Sequence, residues 1–499
     1  MRAIFRADAS SALGSGHVMR CLTLAGSLRT LGWDCAFAVQ PGSAEAAPAL
    51  EGAGYETRVI EGAAEHEPSA LTRHWPDGCD WLIVDHYGRD RGFENACRPW
   101  ARHILVIDDL ADRPHDADLL LDQTLNRVEE AYDGLVPPRC RLVLGTRYAL
   151  LRPEFARLRP AALQARHAGG GALRLLVSLG GTDPDNVTSQ VLAAMTESGV
   201  ALAADVVVGG GCRWLKEISE TVAALPGVRL HVSPPNLAEL MASADLAIGA
   251  AGTSSWERCC LGLPTLMLVL ADNQRENARQ LAAAGAVRCV SGSGRGLTAA
   301  ITETLRELAR DRALLTDMAA RAAELCDGQG SLRARLLLLP PRPTKDGLGV
   351  TLRHAGSADE ATLLHWQQLP SIRSLARNPR IPTAEEHHAW FAAKMRSDGT
   401  FITMIEHGGT VAGMLRLDRV GGSGEAPAYE VSIVVDERHR GVGVGLGALQ
   451  QVRQWIPEAT LHAETVPGNT PSLTLFRAAG YRQVTANQLL CPVAVEAAR

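Results

Sequence analysis

Short apolar runs alternate with helical patterns along much of this chain, and that alternation restricts it to a small set of folds. Ala3–Arg6, Cys35–Val39, Trp81–Asp85 and His103–Asp108 read as strands, with Val18–Leu31 as an amphipathic helix. Strands separated by helices pair side by side in a parallel sheet with helices on both faces. Several of these strands end in polar residues: Arg6 and Asp8, then Asp85-His86-Tyr87, then Asp108-Asp109. Ligands of open parallel sheets bind outside the carboxyl ends of the strands, so these residues are expected around one crevice.

The pattern starts again near residue 172. Strands are expected over Leu173–Leu179, Asp205–Val208, Arg229–Val232, Leu246–Gly249 and Thr265–Val269. Gly180-Gly181-Thr182, after the first of them, reads either as a phosphate contact or as a tight turn. The stretch 151–172 carries Pro153, Pro160 and Gly169-Gly170-Gly171 and reads as a hinge-like connector. Helical patterning from Thr298 to Cys326 closes the second unit, and Leu339-Pro340-Pro341-Arg342-Pro343 marks a boundary. Beyond it the order changes. Helical stretches around Ala358–Leu369 and Ala384–Arg396 precede strands at Phe401–Glu406, Thr410–Leu417 and Glu430–Val435. A helix, a strand at Thr460–Thr465, a helix at Pro471–Ala478 and a last strand follow, which is α+β with a mostly antiparallel sheet. A chain of 499 residues is too long for one ordinary core. The expected domains are 1–155, 172–335 and 345–495.

Composition narrows the partners. The net charge of −5 is mild and no basic stripe is present, so nucleic acid is not an expected partner. The longest apolar runs, such as Leu263–Ala271, are too short to span a bilayer, and stable membrane association is not expected. Arg2 and Arg6 interrupt the first apolar run and no signal-peptide core follows, so a cytoplasmic location is expected. The 11 cysteines are scattered apart from Cys259-Cys260, without metal-ligand spacing, and read as buried reduced thiols.

Three glycine-rich loops carry the chemistry. Asp8-Ala9-Ser10-Ser11-Ala12-Leu13-Gly14-Ser15-Gly16-His17 follows the first strand and opens a helix. At Gly249-Ala250-Ala251-Gly252-Thr253-Ser254-Ser255-Trp256-Glu257 another strand gives way to a helix. Backbone N–H groups at Gly252, Thr253 and Ser254 suit a diphosphate, and a carboxylate such as Glu257 can accept both ribose hydroxyls. Arg440-Gly441-Val442-Gly443-Val444-Gly445 has the form R-x-x-G-x-G and again follows an apolar strand. Loops of this kind suit phosphate or pyrophosphate, so two separate phosphate-bearing ligands are expected.

The order strand, Gly252-Thr253-Ser254, Glu257, Gly262-Leu263-Pro264, Asp272-Asn273-Gln274, Asn277 resembles the nucleotide half of two-domain GT-B glycosyltransferases, in the branch that includes the enzyme making lipid II. With Arg6-Ala7-Asp8-Ala9-Ser10, Gly14-Ser15-Gly16-His17, Asp85-His86-Tyr87 and Asp108-Asp109 added, residues 1–335 resemble the UDP-2,4-diacetamido-2,4,6-trideoxy-β-L-altropyranose hydrolases of pseudaminic acid biosynthesis. The resemblance implies a GT-B fold of two doubly wound Rossmann-like domains. It implies water as the acceptor and cleavage of the anomeric C–O bond with inversion, releasing UDP. His17 would be the general base, a role that the ordinary imidazole pKa suits. Asp8 and Tyr87 would be catalytic beside it, shaping the sugar pocket with Asp108 or orienting His17. Gly16, Asp108, Gly252, Thr253, Ser254, Glu257, Asn273 and Gln274 would hold UDP and the sugar. No metal is implied.

Residues 345–495 resemble the GNAT acetyltransferases, through the R-x-x-G-x-G loop followed by the strand Thr460–Thr465, Asn469, Ser472 and Leu475-Phe476-Arg477-Ala478-Ala479-Gly480-Tyr481. That resemblance implies acetyl-CoA as co-substrate, bound by Arg440, Gly441, Gly443, Gly445, Asn469 and Ser472, with a strand amide near Ile433–Val435 polarising the thioester. Trp366, Arg373 to Asn378 and Thr383-Ala384-Glu385-Glu386-His387 are similar to the N-acetyltransferase that acts one step before the hydrolase, on a UDP-linked 4-amino sugar. Phe476 stands where such enzymes often carry a tyrosine acid, and Glu430 and Glu464 are candidate bases or substrate contacts. The expected whole is therefore a bifunctional UDP-sugar enzyme. The alternatives are a GT-B glycosyltransferase fused to an acetyltransferase of different substrate, and a nucleotide-sugar sensor.

Overall fold

The computed structural model describes residues 1–10, 13–167, 172–422 and 426–494. Ser11 and Ala12 of the first loop and Gly169-Gly170-Gly171 of the connector lie outside the described residues. The chain divides into two units, Met1–Arg29 with Trp33–Ser331, and Thr30–Gly32 with Leu332–Arg499.

The larger unit holds two parallel sheets. The first contains β1 (Arg2–Ala7), β2 (Asp34–Val39), β3 (Glu56–Val59), β4 (Cys79–Asp85), β5 (Ala101–Ile107), β6 (Leu119–Asp122) and β7 (Arg141–Leu144), in the order β3-β2-β1-β4-β5-β6-β7. β1 pairs with β2 on one side and with β4 on the other, both parallel. The chain therefore winds outward from β1 and returns to begin again at β4, and a crevice opens between those two strands at their carboxyl ends. The loop after β1 and the tripeptide Asp85-His86-Tyr87 border it.

The second sheet repeats the scheme with β8 (Leu173–Ser178), β9 (Leu202–Val208), β10 (Val228–Val232), β11 (Leu246–Ala250), β12 (Thr265–Leu268) and β13 (Val287–Val290), in the order β10-β9-β8-β11-β12-β13. Its crevice lies between β8 and β11, bordered by the Gly180 turn and the Gly252 loop. Val177, Val206, Ile248 and Leu266 pack one face of this sheet against Ile301 and Leu305 of the helix Gly294–Arg310. Each is 0–1% exposed, which explains the mainly apolar character of these strands.

The supposed connector is different from its sequence reading. Pro153–His167 is a helix, with proline at its first position, where no backbone hydrogen bond is lost. Phe155 and Ala162 enter the core of the second half. Arg159 donates through Nη1 to the carbonyls of Cys260 (2.7 Å) and Cys326 (3.1 Å) and through Nη2 to Ala323 (2.8 Å). Arg166 donates through Nε to Leu261 at 2.7 Å. These carbonyls lie at the ends of the helices Ser254–Cys260 and Arg312–Leu325, where carbonyls lack helical partners and attract cations. The two arginines fasten the connecting helix to the second half. The prolines that suggested a hinge mark only its first position and one interior position.

The smaller unit is built on a single sheet in the order β14-β15-β16-β17-β18-β19-β21-β20. Its strands are β14 (Arg342–Pro343), β15 (Gly349–His354), β16 (Thr400–His407), β17 (Thr410–Gly422), β18 (Pro427–Val435), β19 (Thr460–Glu464), β20 (Arg482–Gln483) and β21 (Gln488–Cys491). β16, β17 and β18 form an antiparallel meander. β18 and β19 run parallel and pair only at Ala428–Thr460, Tyr429–Leu461 and Glu430–His462. β18 then continues to Val435 without a partner on that side, so the two strands part like a fork.

Candidate functional site

In the larger unit a cleft between the two halves is lined by Gly16, Arg20, Gln123, Arg152, Thr253 and Glu257, among others. His17 begins the helix Gly16–Arg29 beside it and is 7% exposed. Its Nδ1 lies 2.5 Å from Asp85 Oδ1. Asp85, at the end of β4, is fully buried and is also gripped by Arg20 through Nε (2.5 Å) and Nη2 (2.6 Å). Burial pushes the Asp85 carboxyl up, but Arg20 and His17 outweigh that and hold it well below the usual carboxylate range. An ionised carboxylate only accepts, so His17 Nδ1 donates to it, which in a neutral imidazole leaves the lone pair on Nε2. The Tyr87 ring meets the imidazole edge-on, centroids 4.6 Å apart. Burial first, and the nearby Asp109 second, push the Tyr87 phenol up and keep it protonated.

The carboxylate on His17 is thus Asp85, which the sequence placed at the crevice without a role. Asp8, expected to be catalytic and to sit with His17, is held elsewhere. It accepts from Arg6 Nη1 (2.6 Å), Arg6 Nη2 (2.9 Å) and the Gln40 N–H (2.7 Å), with His86 Nε2 2.9 Å away. Burial raises its carboxyl, and His86 and Arg6 more than reverse this, leaving it far below the ordinary range. Arg6 in turn pairs with Glu67, which also takes Arg89 at 2.5 Å. Asp8 belongs to a buried ion network that fixes the loop carrying His86. Asp108 is similarly engaged. It accepts from the Ala111 N–H (2.9 Å) and lies 3.0 Å from both the Tyr132 hydroxyl and Arg113 Nη1. It closes a turn.

The second half brings its loop to the same place. A β-carbon added at Gly16 would lie 3.2 Å from Thr253 Oγ1, so the two glycine-rich loops touch. Beneath Gly249–Ser255, the buried Arg258 donates to the Ala250 carbonyl (2.6 Å), Ser254 Oγ (3.1 Å) and Ser255 Oγ (3.2 Å). Gly249 is required because a β-carbon there would lie 2.6 Å from the Arg258 guanidinium. Burial lowers Arg258 to about 10. Glu257 faces the cleft, with Arg152 3.8 Å away, and burial pushes its carboxyl up. Asn273 Nδ2 donates to Tyr87 Oη at 3.4 Å, and Gln274 Oε1 accepts from the Leu270 N–H at 3.1 Å, next to Gly252. Gly180-Gly181-Thr182 bends the chain after β8, with Gly180 at a φ of 104°. Gly209 packs so closely on it that a β-carbon there would lie 2.3 Å from the Gly181 carbonyl oxygen. Asp183 caps the next helix through the N–H groups of Val187 (2.9 Å) and Thr188 (2.8 Å).

In the smaller unit the R-x-x-G-x-G loop starts the helix Val444–Trp455 at the fork of β18 and β19. Gly441 and Gly443 have φ of 83° and 104°, values that other residues rarely adopt. Gly445 is glycine for a different reason: a β-carbon would lie 3.1 Å from Leu475. Arg440 Nε donates to the Val435 carbonyl at 3.1 Å, which ties the loop to β18, the strand that also bears Ile433. Asn469 caps the helix Thr470–Ala478 by accepting from the Ser472 N–H at 3.2 Å. Phe476 is buried against Tyr481, centroids 5.0 Å apart. Glu430 and Glu464 flank the fork and are bridged by Arg377, which reaches Glu464 at 3.1 Å and contacts Glu430 through its other nitrogen. The sequence reading included Arg377 in the segment Arg373 to Asn378 but gave it no role, because the loop that carries it has no regular pattern.

Among the described residues no helix is long and apolar enough to cross a membrane. Residues 200–328 match the glycosyltransferase family 28 C-terminal domain, and residues 363–481 match the acetyltransferase (GNAT) family. The chain is 27% identical over 289 residues to the UDP-2,4-diacetamido-2,4,6-trideoxy-β-L-altropyranose hydrolase of Campylobacter jejuni subsp. jejuni, covering 57% of this chain and 97% of that protein. An uncharacterized protein of Methanocaldococcus jannaschii is 20% identical over 493 residues, covering 95% of this chain and 96% of its own length. The putative phosphinothricin acetyltransferase YwnH of Bacillus subtilis is 31% identical over 142 residues, 27% of this chain and 85% of that protein. The chain is a fusion of a larger unit, built of two doubly wound halves and similar to that hydrolase, with a C-terminal domain that belongs to the acetyltransferase (GNAT) family.

Proposed function

We propose that the larger unit hydrolyses UDP-2,4-diacetamido-2,4,6-trideoxy-β-L-altropyranose and that the smaller unit makes this substrate by N-acetylating the 4-amine of its UDP-linked precursor. The observation that carries the reading is the His17–Asp85 pair at a cleft that also receives the Thr253 loop and Glu257. Asp85 fixes the imidazole so that Nε2 can take a proton from water. The water oxygen attacks the anomeric carbon, the C–O bond to the diphosphate breaks, and its electrons leave with UDP as an anion. The amides of Gly252, Thr253 and Ser254 hold the diphosphate, Glu257 the ribose, and Asn273 and Gln274 the remainder of the ligand, with Tyr87 against the base. Gly16 admits the close approach of the two loops. Asp8 and Asp108 act through the scaffold. The residues engaged need no metal for this chemistry.

In the smaller unit, acetyl-CoA lies along the fork of β18, with Ile433 and Val435 beside the thioester and Arg440, Gly441, Gly443 and Gly445 around the pyrophosphate. Asn469 and Ser472 set the helix next to it. The functional domains are then 1–155 for the sugar and base, 172–335 for UDP and 345–495 for acetyl transfer. Joining the two activities raises the local concentration of one enzyme's product near the other. The resemblance to family 28 favours a second reading, a glycosyltransferase with another acceptor. The test is incubation with UDP-4-amino-4,6-dideoxy-β-L-AltNAc, with and without acetyl-CoA, following free CoA and free UDP. UDP release that depends on acetyl-CoA supports both activities. CoA without UDP favours the transferase reading, and neither product rejects the substrate assignment.

A further inference from the structure

Alternate residues of a strand face the same side of its sheet. On the smaller sheet this sets Glu430 of β18 beside Asp418 of β17 and, across the last pair before the fork, on the same face as His462 and Glu464 of β19. The opposite face of these strands is apolar and closed: Leu415, Leu417, Val431, Leu461 and Ala463 are 0–4% exposed. The polar face lies under the helix Ala384–Met395, with Lys394 Nζ 2.6 Å from Asp418 and Arg416 stacked 5.4 Å from the Trp390 ring centroid. Charges in such a place are costly unless each is met by a partner. Asp418 is met by Lys394 and by Arg416 Nε at 2.6 Å. Among the described residues, the one cation that meets Glu430 and Glu464 is Arg377.

Arg377 comes from outside the sheet, on the stretch between the helices Pro370–Arg373 and Ala384–Met395. The root of that stretch is fastened by Arg373, which donates to the carbonyls of Asn378 and Arg380 and to Gln367 Oε1 at 2.7 Å. The Arg377 side chain reaches the mouth of the fork. Its Nη1 donates to Glu464 Oε2 at 3.1 Å and to Glu430 Oε2 at 3.4 Å, and its Nη2 donates to Glu430 Oε1. One guanidinium on two carboxylates leaves a net negative charge. All three groups reach solvent, the side chains of Glu430, Glu464 and Arg377 being 23%, 40% and 53% exposed. Exposed ion pairs contribute little, so another cation can replace this one at small cost. An ammonium, with three donors, can bond to both carboxylates at once.

We propose that Glu430 and Glu464 form the subsite that receives the protonated amine of the acetyl acceptor, and that Arg377 is an internal surrogate for that amine, displaced when the acceptor binds. The inference rests on the acetyltransferase reading above, in which Ile433 and Val435, further along β18, lie beside the thioester. The free enzyme then keeps its acidic pair neutralised by a side chain that can swing into water. The acceptor competes with Arg377 for the pair, so its apparent affinity is lowered by the fraction of molecules in which the arginine is in place. An acceptor whose amine is already acetylated carries no charge there and does not displace the arginine, which favours release of the product.

The experiment compares Arg377→Ala and Arg377→Gln with wild type in the full chain, following CoA release with UDP-4-amino-4,6-dideoxy-β-L-AltNAc as acceptor. We expect the acceptor KM to fall about 2- to 10-fold in both variants, the range that two exposed ion pairs support. The kcat and the KM for acetyl-CoA should stay within about two-fold of wild type. Ethylguanidinium should refill the vacated place. It should inhibit Arg377→Ala competitively against the acceptor, and wild type several-fold more weakly. Loss of a merely structural contact would neither tighten the acceptor nor create sensitivity to a guanidinium. An acceptor KM that is unchanged or raised in the variants overturns the proposal, as does equal inhibition of variant and wild type by ethylguanidinium. If Arg377→Ala does not fold, Arg377→Gln decides by the same two measurements. A wild-type enzyme that releases no CoA with this acceptor overturns the acetyltransferase reading and this inference with it, an outcome distinct from wild-type turnover with unaltered variants.

Discussion

Asn273 of the second half reaches Tyr87 of the first, Nδ2 to Oη, at 3.4 Å, while the same tyrosine ring stands edge-on to His17. One side chain therefore touches both the candidate base and the opposite wall of the cleft. Tyr87→Phe keeps the ring contact and removes the oxygen. We expect KM for the UDP-sugar to rise about 3- to 10-fold, the equivalent of one ordinary hydrogen bond, with a smaller change in kcat. Steady-state kinetics checks this, and a loss of kcat alone would contradict the role given to the hydroxyl.

His17→Ala should abolish UDP release and leave UDP affinity near wild type. Asp85→Asn should lower kcat by roughly 10²- to 10⁴-fold, because an amide no longer fixes the tautomer that leaves Nε2 free. Single-turnover rates beside calorimetric UDP binding separate chemistry from binding. Retained activity in His17→Ala removes it as the base.

Gly16 and Thr253 are coupled by space. Gly16→Ala places a β-carbon 3.2 Å from Thr253 Oγ1, tighter than ordinary contact. The substitution should destabilise the larger unit by about 1–3 kcal/mol, and Thr253→Ala in the same chain should recover part of that loss. A thermal-melt double-mutant cycle measures the coupling. Strictly additive effects would mean that the loops do not meet in solution.

Gly443→Val puts a β-branched residue at a φ of 104°. It should weaken CoA binding at least ten-fold and leave UDP release from pre-acetylated substrate unchanged. Calorimetry with CoA and the UDP assay test the two halves of this statement. Loss of both activities together would show that the two units fold as one.

Acid stability follows from Asp8 and Asp85, both held below the carboxylate range. Their folded values lie below the unfolded value of about 3.9, so their contribution is complete well above that pH and is lost as pH falls through and below it. Urea melts from pH 6 to pH 3 should show the stability gap between wild type and Asp85→Asn closing as pH falls. A constant gap would mean that Asp85 contributes little as a charge.

The buried strands were legible because both faces are covered. Leu173–Leu179, apart from Arg174 and Ser178, and Leu246–Gly249 are apolar and appear as β8 and β11 with ends shifted by a residue. β3 was not legible. Its four residues, Glu-Thr-Arg-Val, include two charges, since it lies at the sheet edge and no residue in it is buried. The glycine-rich loops were visible as motifs, and Asp85 as a polar residue at a strand end. Its partnership with His17 was not visible, because it depends on β1 and β4 lying side by side across a separation of 68 residues. For Asp8 the local pattern pointed toward the crevice, but Arg6, two residues earlier, claims the carboxylate.

The helix that follows the first half is secured to the second through Arg159, and just before it the Leu150 N–H is secured to the first half through Gln123 Oε1 at 3.2 Å. The few residues between those two anchors join the halves beside the cleft. Arg152 lies among them, facing Glu257 inside the cleft. The junction of the two halves and one wall of the cleft are the same short piece of chain, so a ligand gripped by Arg152 would act as a brake on any motion of one half against the other.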